Sequence, residues 1–387
     1  MSVEVISLGC RMNLAESEQM RALLAGERDM VVINSCAVTA EAMRQTRQAI
    51  RRARRERPDA RLMVTGCAVE IERETIGALG VDGLIANADK LDARAWNVPA
   101  APTVAPFAQH TRAFVAVQNG CDHACTFCII PTGRGPSRSR PIADVVAEVR
   151  AHVDHGIGEV VLTAVDLTGW SAGEQRLGDL VAAILRECSA LPRLRLSSLD
   201  GVEIDPLLRE IIASEARVMP HLHLSLQHGA DLILKRMKRR HSRANALELI
   251  SDLTARRPDI AVGADLIAGF PTESDAEHAE NLSIIEALRI VHGHIFPYSP
   301  RAGTPAARMP QVPRPVISER AAALRAAVAH QRGLWLQDQI GRPQRVLAER
   351  DGTGHAENFA RLALPEGTPA GQIVTIIPTR ISEGLLA

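Results

Sequence analysis

Short apolar runs, each closing on a small or polar residue, alternate with longer stretches of helical period along most of the chain. VEVISLGC leads into a polar helix from Asn13, MVVINSC into an arginine-rich helix from Thr39, and RLMVTGC ends a third run. Strand-helix alternation of this kind predicts a small α/β layer over residues 1–98. The segment NVPAAPTVAPFAQH then carries three prolines and little periodicity. Proline biases itself and its predecessor away from helix, so this segment reads as a linker with a boundary near residue 105.

Six β-type runs follow between 112 and about 300: RAFVAVQNG, EVVLTAVDL, RLRLSSLD, HLHLSLQHG, IAVGADLIAGFP and VHGHIFPYSP. Amphipathic stretches near 142–155, 174–190, 205–215, 231–257, 273–288 and 317–335 separate or follow them. The alternation forces parallel pairing through right-handed crossovers, and six units are too few for the usual closed eight-stranded barrel. The expected core is therefore an open, partial (β/α)6 barrel over residues 111–335. Beyond it, PQRVLAE, ENFARLAL and GQIVTIIPTRI are separated by glycine-rich turns, which predicts a short antiparallel β module over 338–387. The fold class is thus α/β in three parts.

The chain has 387 residues, enough for two or three cores without disulfide support. Lysine plus arginine and aspartate plus glutamate both number 45, so any contact with nucleic acid must come from local patches. MSVEVISLGC has neither the basic leader nor the apolar run of a signal peptide, and no segment holds the roughly 20 apolar residues of a membrane span. A soluble, cytoplasmic protein without membrane contact is expected. In that reducing compartment seven cysteines, an odd and clustered set, point to metal or redox chemistry.

Cys121, Cys125 and Cys128 fall within CDHACTFC, directly after the first barrel strand and the Asn119-Gly120 turn. That places them at the strand's C-terminal end, where parallel α/β architectures bind ligands. The spacing lets one loop wrap three thiolates around an iron-sulfur cluster and leaves one iron open. A zinc site with His123 as fourth ligand, or thiols buried as small apolar side chains, are the alternatives. SLGC, INSC and VTGC each place a cysteine just after a strand, so Cys10, Cys36 and Cys67 converge on one sheet edge as a second three-cysteine set. Cys188 sits at helical spacing among apolar residues and reads as a core thiol.

At these residues the sequence resembles the radical S-adenosylmethionine methylthiotransferases over essentially its full length. Beyond CDHACTFC, the resemblance rests on GCRMNLAESE, INSCAVT, VTGC, LSLQHGADLILKRMKRRHSR, DLIAGFPTES and HIFPYSPRAGTPAARM in the family's order. It implies two [4Fe-4S] clusters and S-adenosylmethionine as cofactors. The barrel cluster, through its open iron, chelates the amino and carboxylate groups of S-adenosylmethionine and cleaves it to a deoxyadenosyl radical. The N-terminal cluster handles the sulfur to be inserted, and a terminal TRAM module grips tRNA; the β module here is shorter than usual for that family. GCRMNLAESE, INSCAVTAEA and LTAVDL are most similar to the enzymes that add a methylthio group to carbon two of threonylcarbamoyladenosine beside the anticodon.

The resemblance places the S-adenosylmethionine pocket among barrel positions such as Asp166, Ser198, Gln227, Asp265 and Tyr298, with Phe127 beside the adenine. His221, His223, Pro297 and Arg301 read as structural or supporting residues. A tRNA substrate would give phosphate-binding roles to the stripe Arg44, Arg47, Arg51, Arg54 and Arg55, and to Lys235, Arg236, Lys238, Arg239, Arg240 and Arg243. Taken alone, such stripes are more often solvated faces. The implied partners are tRNA and an electron donor such as flavodoxin or ferredoxin, with the chain as a monomer. The alternatives are a methylthiotransferase for a ribosomal protein or for isopentenyladenosine tRNA, and a non-enzymatic metal-dependent RNA-binding protein.

Overall fold

The computed structural model describes residues 3–99 and 111–387. The centre of the proline-rich linker, with the expected boundary near 105, lies outside the described residues. Four parallel strands open the chain: β1 (Glu4–Ser7), β2 (Met30–Ser35), β3 (Arg61–Gly66) and β4 (Gly83–Leu84), side by side in sequence order. Every residue of β2 is buried, because helices cover both faces of the sheet. On one face α2 (Ala40–Glu56) lays Met43 and Ile50 on Val31, Ile33 and Val64. On the other, α1 (Arg11–Leu23) brings Met20 to Val5, Val32 and Met63.

A second set of parallel strands follows in the expected order: β5 (Ala113–Asn119), β7 (Val160–Ala164), β8 (Leu194–Leu196), β9 (His221–Gln227), β10 (Ala261–Ala268) and β11 (Ile290–Pro297). β5, β7 and β8 pair in parallel, as do β9, β10 and β11. Leu199 stitches the two groups, donating to the His223 carbonyl and accepting from the Ser225 amide, both at 2.8 Å. No pairing joins β5 to β11 among the described residues, so the barrel is open there. Met12 and Ala15 of α1 pack on Phe114 and Ala116 of β5.

Two features depart from the sequence reading. The short strand β6 (Arg138–Ser139) returns antiparallel to β5 after the cysteine loop. The stretch 231–257 is two helices, 231–236 and 243–256, rather than one. The first ends in a Schellman-type turn: Lys238 takes φ +57° and the Arg239 amide bonds back to the Leu234 carbonyl at 2.9 Å. The second starts on a Ser242–Asn245 capping box.

The C-terminal part is an antiparallel-rich sheet built from residues 344–348, 353–356, 361–363, 373–376, 381–382 and 385–386. It docks under the barrel, at the N-terminal ends of the barrel strands. Arg193 donates to the Arg345 carbonyl at 2.8 Å, and Arg195 to the Ala356 and Glu357 carbonyls at 3.3 and 3.1 Å. Phe359, at φ +71° in the turn after 353–356, points upward and stacks on His221 and His355 with ring centroids 4.8 and 4.5 Å apart. Among the described residues no helix is long and apolar enough to cross a membrane.

Beneath the barrel, Glu159 is fully buried and faces Arg112 at 3.0 Å, Arg195 at 3.1 Å and Arg193 at 3.7 Å. Burial pushes its carboxyl upward, but the three guanidiniums dominate and hold it at about 2. A carboxyl depressed from 4.5 to about 2 contributes stability that is present above pH 4.5 and is lost as pH falls through that interval. Glu159→Gln should therefore lower stability at pH 7 by about 3–5 kcal/mol, since it strands buried arginines. Urea denaturation of both proteins from pH 6 to pH 2 tests this: their stabilities should converge as the pH drops, and a constant gap would refute the assignment.

Candidate active site

Glycine precedes three of the six clustered cysteines, and each of these glycines has positive φ: Gly9 (+90°), Gly66 (+94°) and Gly120 (+77°). The reason is close approach. A Cβ on Gly9 would lie 2.5 Å from Cys36 Sγ, and one on Gly120 would lie 1.9 Å from the Pro136 carbonyl. The SLGC, VTGC and NGC endings therefore turn the chain sharply out of a strand and present the next thiol at the sheet edge.

Strand register brings the first set together. Ser7 pairs with Asn34 and Ser35 with Gly66, so Cys36 and Cys67 leave adjacent strands at the same level, with Cys10 one turn beyond β1. Burial pushes the Cys36 thiol to about 11, with further contributions from Cys10 and Cys67, and raises Cys67 as well. In the second set, burial lifts Cys121 to about 11 and Cys128 to about 12. The loop is braced at Thr126, whose amide and hydroxyl donate to the Met237 and Arg236 carbonyls while its carbonyl accepts from Ala306. Cys121 and Cys128 each accept a backbone N–H at 3.4 Å, and Arg239 Nη1 approaches Cys125 Sγ at 3.7 Å.

Neither set forms a disulfide. Thiols that resist ionisation at neutral pH become ligands when a cationic metal centre displaces the proton. Both sets therefore fit an iron-sulfur cluster held by three cysteines. The zinc alternative fits less well. His123 Nε2 lies 2.8 Å from Asp166 and 3.5 Å from Glu203, which raise its titration to about 10. Its ring groups with Cys121 and Asp166 but with neither Cys125 nor Cys128 among the described residues, so it does not complete a site on the three thiols. Cys188 is a core thiol, buried beside the Val146 carbonyl, as its spacing predicts.

Five of the six clustered cysteines line one cavity of about 1220 Å³, Cys10 and Cys36 from one side and Cys121, Cys125 and Cys128 from the other, while Cys67 is buried outside its lining. Phe127, Asp166, Ser198, Gln227, Asp265 and Tyr298 all line it, so the structure gathers every barrel residue singled out in the sequence. Gln227 does so at φ +70°, a left-handed conformation that a side chain of this size seldom adopts. Phe127 stands edge-on to Phe270, with centroids 6.5 Å apart. Asp265 receives His223 and His294, each at 3.0 Å; burial pushes its carboxyl upward, but these histidines outweigh it and hold it at about 2. His221, fully buried, is pushed well below the ordinary histidine range.

The basic stripes are largely corrected by their partners. Arg44 pairs with Glu41, Arg47 with Glu72 and Arg54 with Asp82, leaving Arg51 and Arg55 as exposed positions without a paired carboxylate among the described residues. In the second run Arg236 pairs with Glu277 and Arg240 with Glu203. Arg243 caps backbone carbonyls of Gly229 and Glu280. Arg239 is not a surface cation at all: the left-handed Lys238 turns it inward, onto Asp200 at 2.8 Å and toward Cys125. Lys235 and Lys238 remain exposed.

Sequence reasoning missed the buried ions that hold the two cysteine sets in place. Glu16 of α1, 2% exposed, contacts Lys90 (1%) within its own layer and Arg134 (7%) from the barrel's cysteine loop. Arg134 also donates to Asn13 Oδ1 and Asn119 Oδ1. Gly133, its neighbour, comes within van der Waals reach of Cys67, and the Gly133 carbonyl accepts from Asn87. Nothing in local periodicity marks these residues, although all three are charges in apolar surroundings.

Comparison with known proteins agrees with this geometry. Residues 115–283 match the Radical SAM superfamily, and residues 2–85 match Uncharacterized protein family UPF0004. The radical S-adenosylmethionine methyltransferase TsrM from Kitasatospora setae, solved with cobalamin and a [4Fe-4S] cluster bound, superposes with a TM-score of 0.56 at 17% identity, covering 77% of this chain and 68% of that one. Fold and cysteine loop define a radical S-adenosylmethionine enzyme. The threonylcarbamoyladenosine tRNA methylthiotransferase MtaB of Rickettsia prowazekii is 41% identical over 404 residues, covering 99% of this chain and 96% of the relative. A tRNA-2-methylthio-N(6)-dimethylallyladenosine synthase of Cereibacter sphaeroides is 32% identical over 425 residues, covering 97% and 94%. The chain belongs to the methylthiotransferase family of radical S-adenosylmethionine enzymes.

Arg134 reads as the clamp between the layers. Arg134→Met should leave Glu16 with one buried partner and cost about 3–5 kcal/mol in denaturant unfolding. Amide exchange should also quicken selectively in α1. Unchanged exchange there would remove the clamp role.

Proposed function

We propose that this chain adds a methylthio group to carbon two of N6-threonylcarbamoyladenosine beside the anticodon of tRNA. The observation that carries the reading is the shared cavity, onto which Cys10 and Cys36 open from the N-terminal set and Cys121, Cys125 and Cys128 from the barrel set. A [4Fe-4S] cluster on each set, with S-adenosylmethionine, supplies radical generation on one side and sulfur on the other. Cys121, Cys125 and Cys128 hold the first, and Cys10, Cys36 and Cys67 the second.

The protein's own part is to position and to shield. Residues 1–98 carry the sulfur-handling set, 111–335 the radical core, and 338–387 a TRAM-like module that closes the barrel from below. Phe127, Ser198, Gln227 and Tyr298 surround the cofactor. Asp166 and Asp265 act through the histidines they hold, His123 above and His223 with His294 within the lumen. Arg239 sets a positive charge beside Cys125, with Nη1 3.7 Å from its sulfur. Phosphates of the tRNA meet Arg51, Arg55, Lys235 and Lys238, the exposed cations left after internal pairing. Electrons come from a small donor such as flavodoxin or ferredoxin, and the chain works as a cytoplasmic monomer.

Nucleosides from tRNA of a deletion strain test the substrate. Loss of the methylthiolated threonylcarbamoyladenosine, restored by the intact gene, is expected. Loss of the methylthiolated dimethylallyl nucleoside alone would move the assignment to the substrate named for the Cereibacter relative. Cysteine variants test the division of labour. Reconstituted protein should hold about eight irons per chain. Alanine at Cys125 should abolish deoxyadenosine formation, whereas alanine at Cys36 should spare it and abolish methylthiolation. Identical losses in both variants would contradict two separate roles.

A further inference from the structure

The carboxylates that line the cavity, Glu41, Asp166, Asp200 and Asp265, each have a basic partner of their own. Of the cavity's arginines, Arg239 and Arg361 are paired with Asp200 and Asp351, whereas Arg11, Arg301, Arg325 and Arg332 have no ion pair among the described residues. Arg11, the first residue of α1 and the neighbour of Cys10, reaches into the lumen, where its Cζ lies 5.8 Å from the Phe359 ring centroid. Arg112 and Arg195 crowd the same ring at 5.9 and 4.8 Å. Those two share Glu159, and Arg112 also has Glu349 at 2.7 Å. Arg11 makes no hydrogen bond or ion pair among the described residues. A half-buried guanidinium beside two others, with no carboxylate of its own, is poised for an anion brought by a ligand.

Two features select that ligand. The cofactor end has its own guanidinium: Arg301 also lines the cavity without an ion pair, and its segment is tied to the cysteine loop by the bond from Ala306 to Thr126. Arg11, by contrast, follows directly on Cys10. In adenine a single ring nitrogen separates carbon two from the carbon bearing the N6 substituent. A group that grips the substituent therefore lies beside the carbon that must meet the sulfur-handling set.

We propose that Arg11 binds the threonyl carboxylate of threonylcarbamoyladenosine and so selects the charged N6 substituent over an apolar one. This rests on the function proposed above. The test uses anticodon stem-loop RNAs carrying either threonylcarbamoyladenosine or its carboxamide analogue. Equilibrium binding is measured on the reconstituted full chain, with the native residue, Arg11→Gln or Arg11→Lys. The native chain should prefer the carboxylate RNA at least about 10-fold, the scale of a desolvated charge pair. Arg11→Gln should bind both RNAs alike at the carboxamide level, and Arg11→Lys should keep part of the preference. Because the preference is a ratio on one preparation, a change in active fraction cancels. If Arg11→Gln keeps the full preference, or weakens both RNAs equally as a lost phosphate contact would, the proposal is overturned. Failure of the functional reading shows differently, as a native chain that methylthiolates neither RNA.

Discussion

One buried carboxylate holds the molecule's two cysteine sets in register. Glu16 sits between Lys90 and Arg134 with almost no access to water. Desolvating three charges is costly, and the arrangement is tolerable only when both partners are in place. That all-or-none character is the useful property here. Glu16 is on the helix that begins next to Cys10, and Arg134 lies six positions beyond Cys128. A displacement of the N-terminal sheet against the barrel would leave a carboxylate and a guanidinium stranded. The separation between the two cysteine sets is thus fixed by an ionic contact that slides less readily than an apolar interface.

The architecture was legible because its signals are local. Period-two runs ending in glycine-cysteine placed the sheet edges, and the alternation of strands and helices placed the six barrel strands in sequence order. The same reading failed wherever the answer lay in a distant partner. Arg54 and Arg239 look alike in a basic run, yet one is spent on Asp82 and the other on Asp200, 28 and 39 positions away. Helix 231–257 broke at Lys238 because tertiary contacts stabilise a left-handed lysine that no propensity favours. The cysteines were the exception among site residues, since their chemistry is marked by residue type and their convergence by strand register.

The cavity's electrostatics follow from the same accounting. Its acids are neutralised by side chains from the barrel and the N-terminal layer, while Arg11, Arg301, Arg325 and Arg332 are left without an ion pair among the described residues. The lumen is therefore cationic although the chain as a whole is neutral. Net charge says nothing about such a site, because each internal pair subtracts equally from both columns and only the unmatched residues remain.

The C-terminal sheet carries a consequence for how the protein is made. Phe359 and the arginine-bonded turn around it form the underside of the barrel, yet they follow every barrel strand in the chain and so leave the ribosome after all of them. Until that segment leaves the ribosome, His221 and the Glu159 arginines face solvent, and the lumen is a tunnel rather than a blind chamber. The cysteine loops are thus complete before the residues that cover the underside of the lumen. Assembly order and closure are thereby coupled: the base is covered only once residues 344–386 have been made.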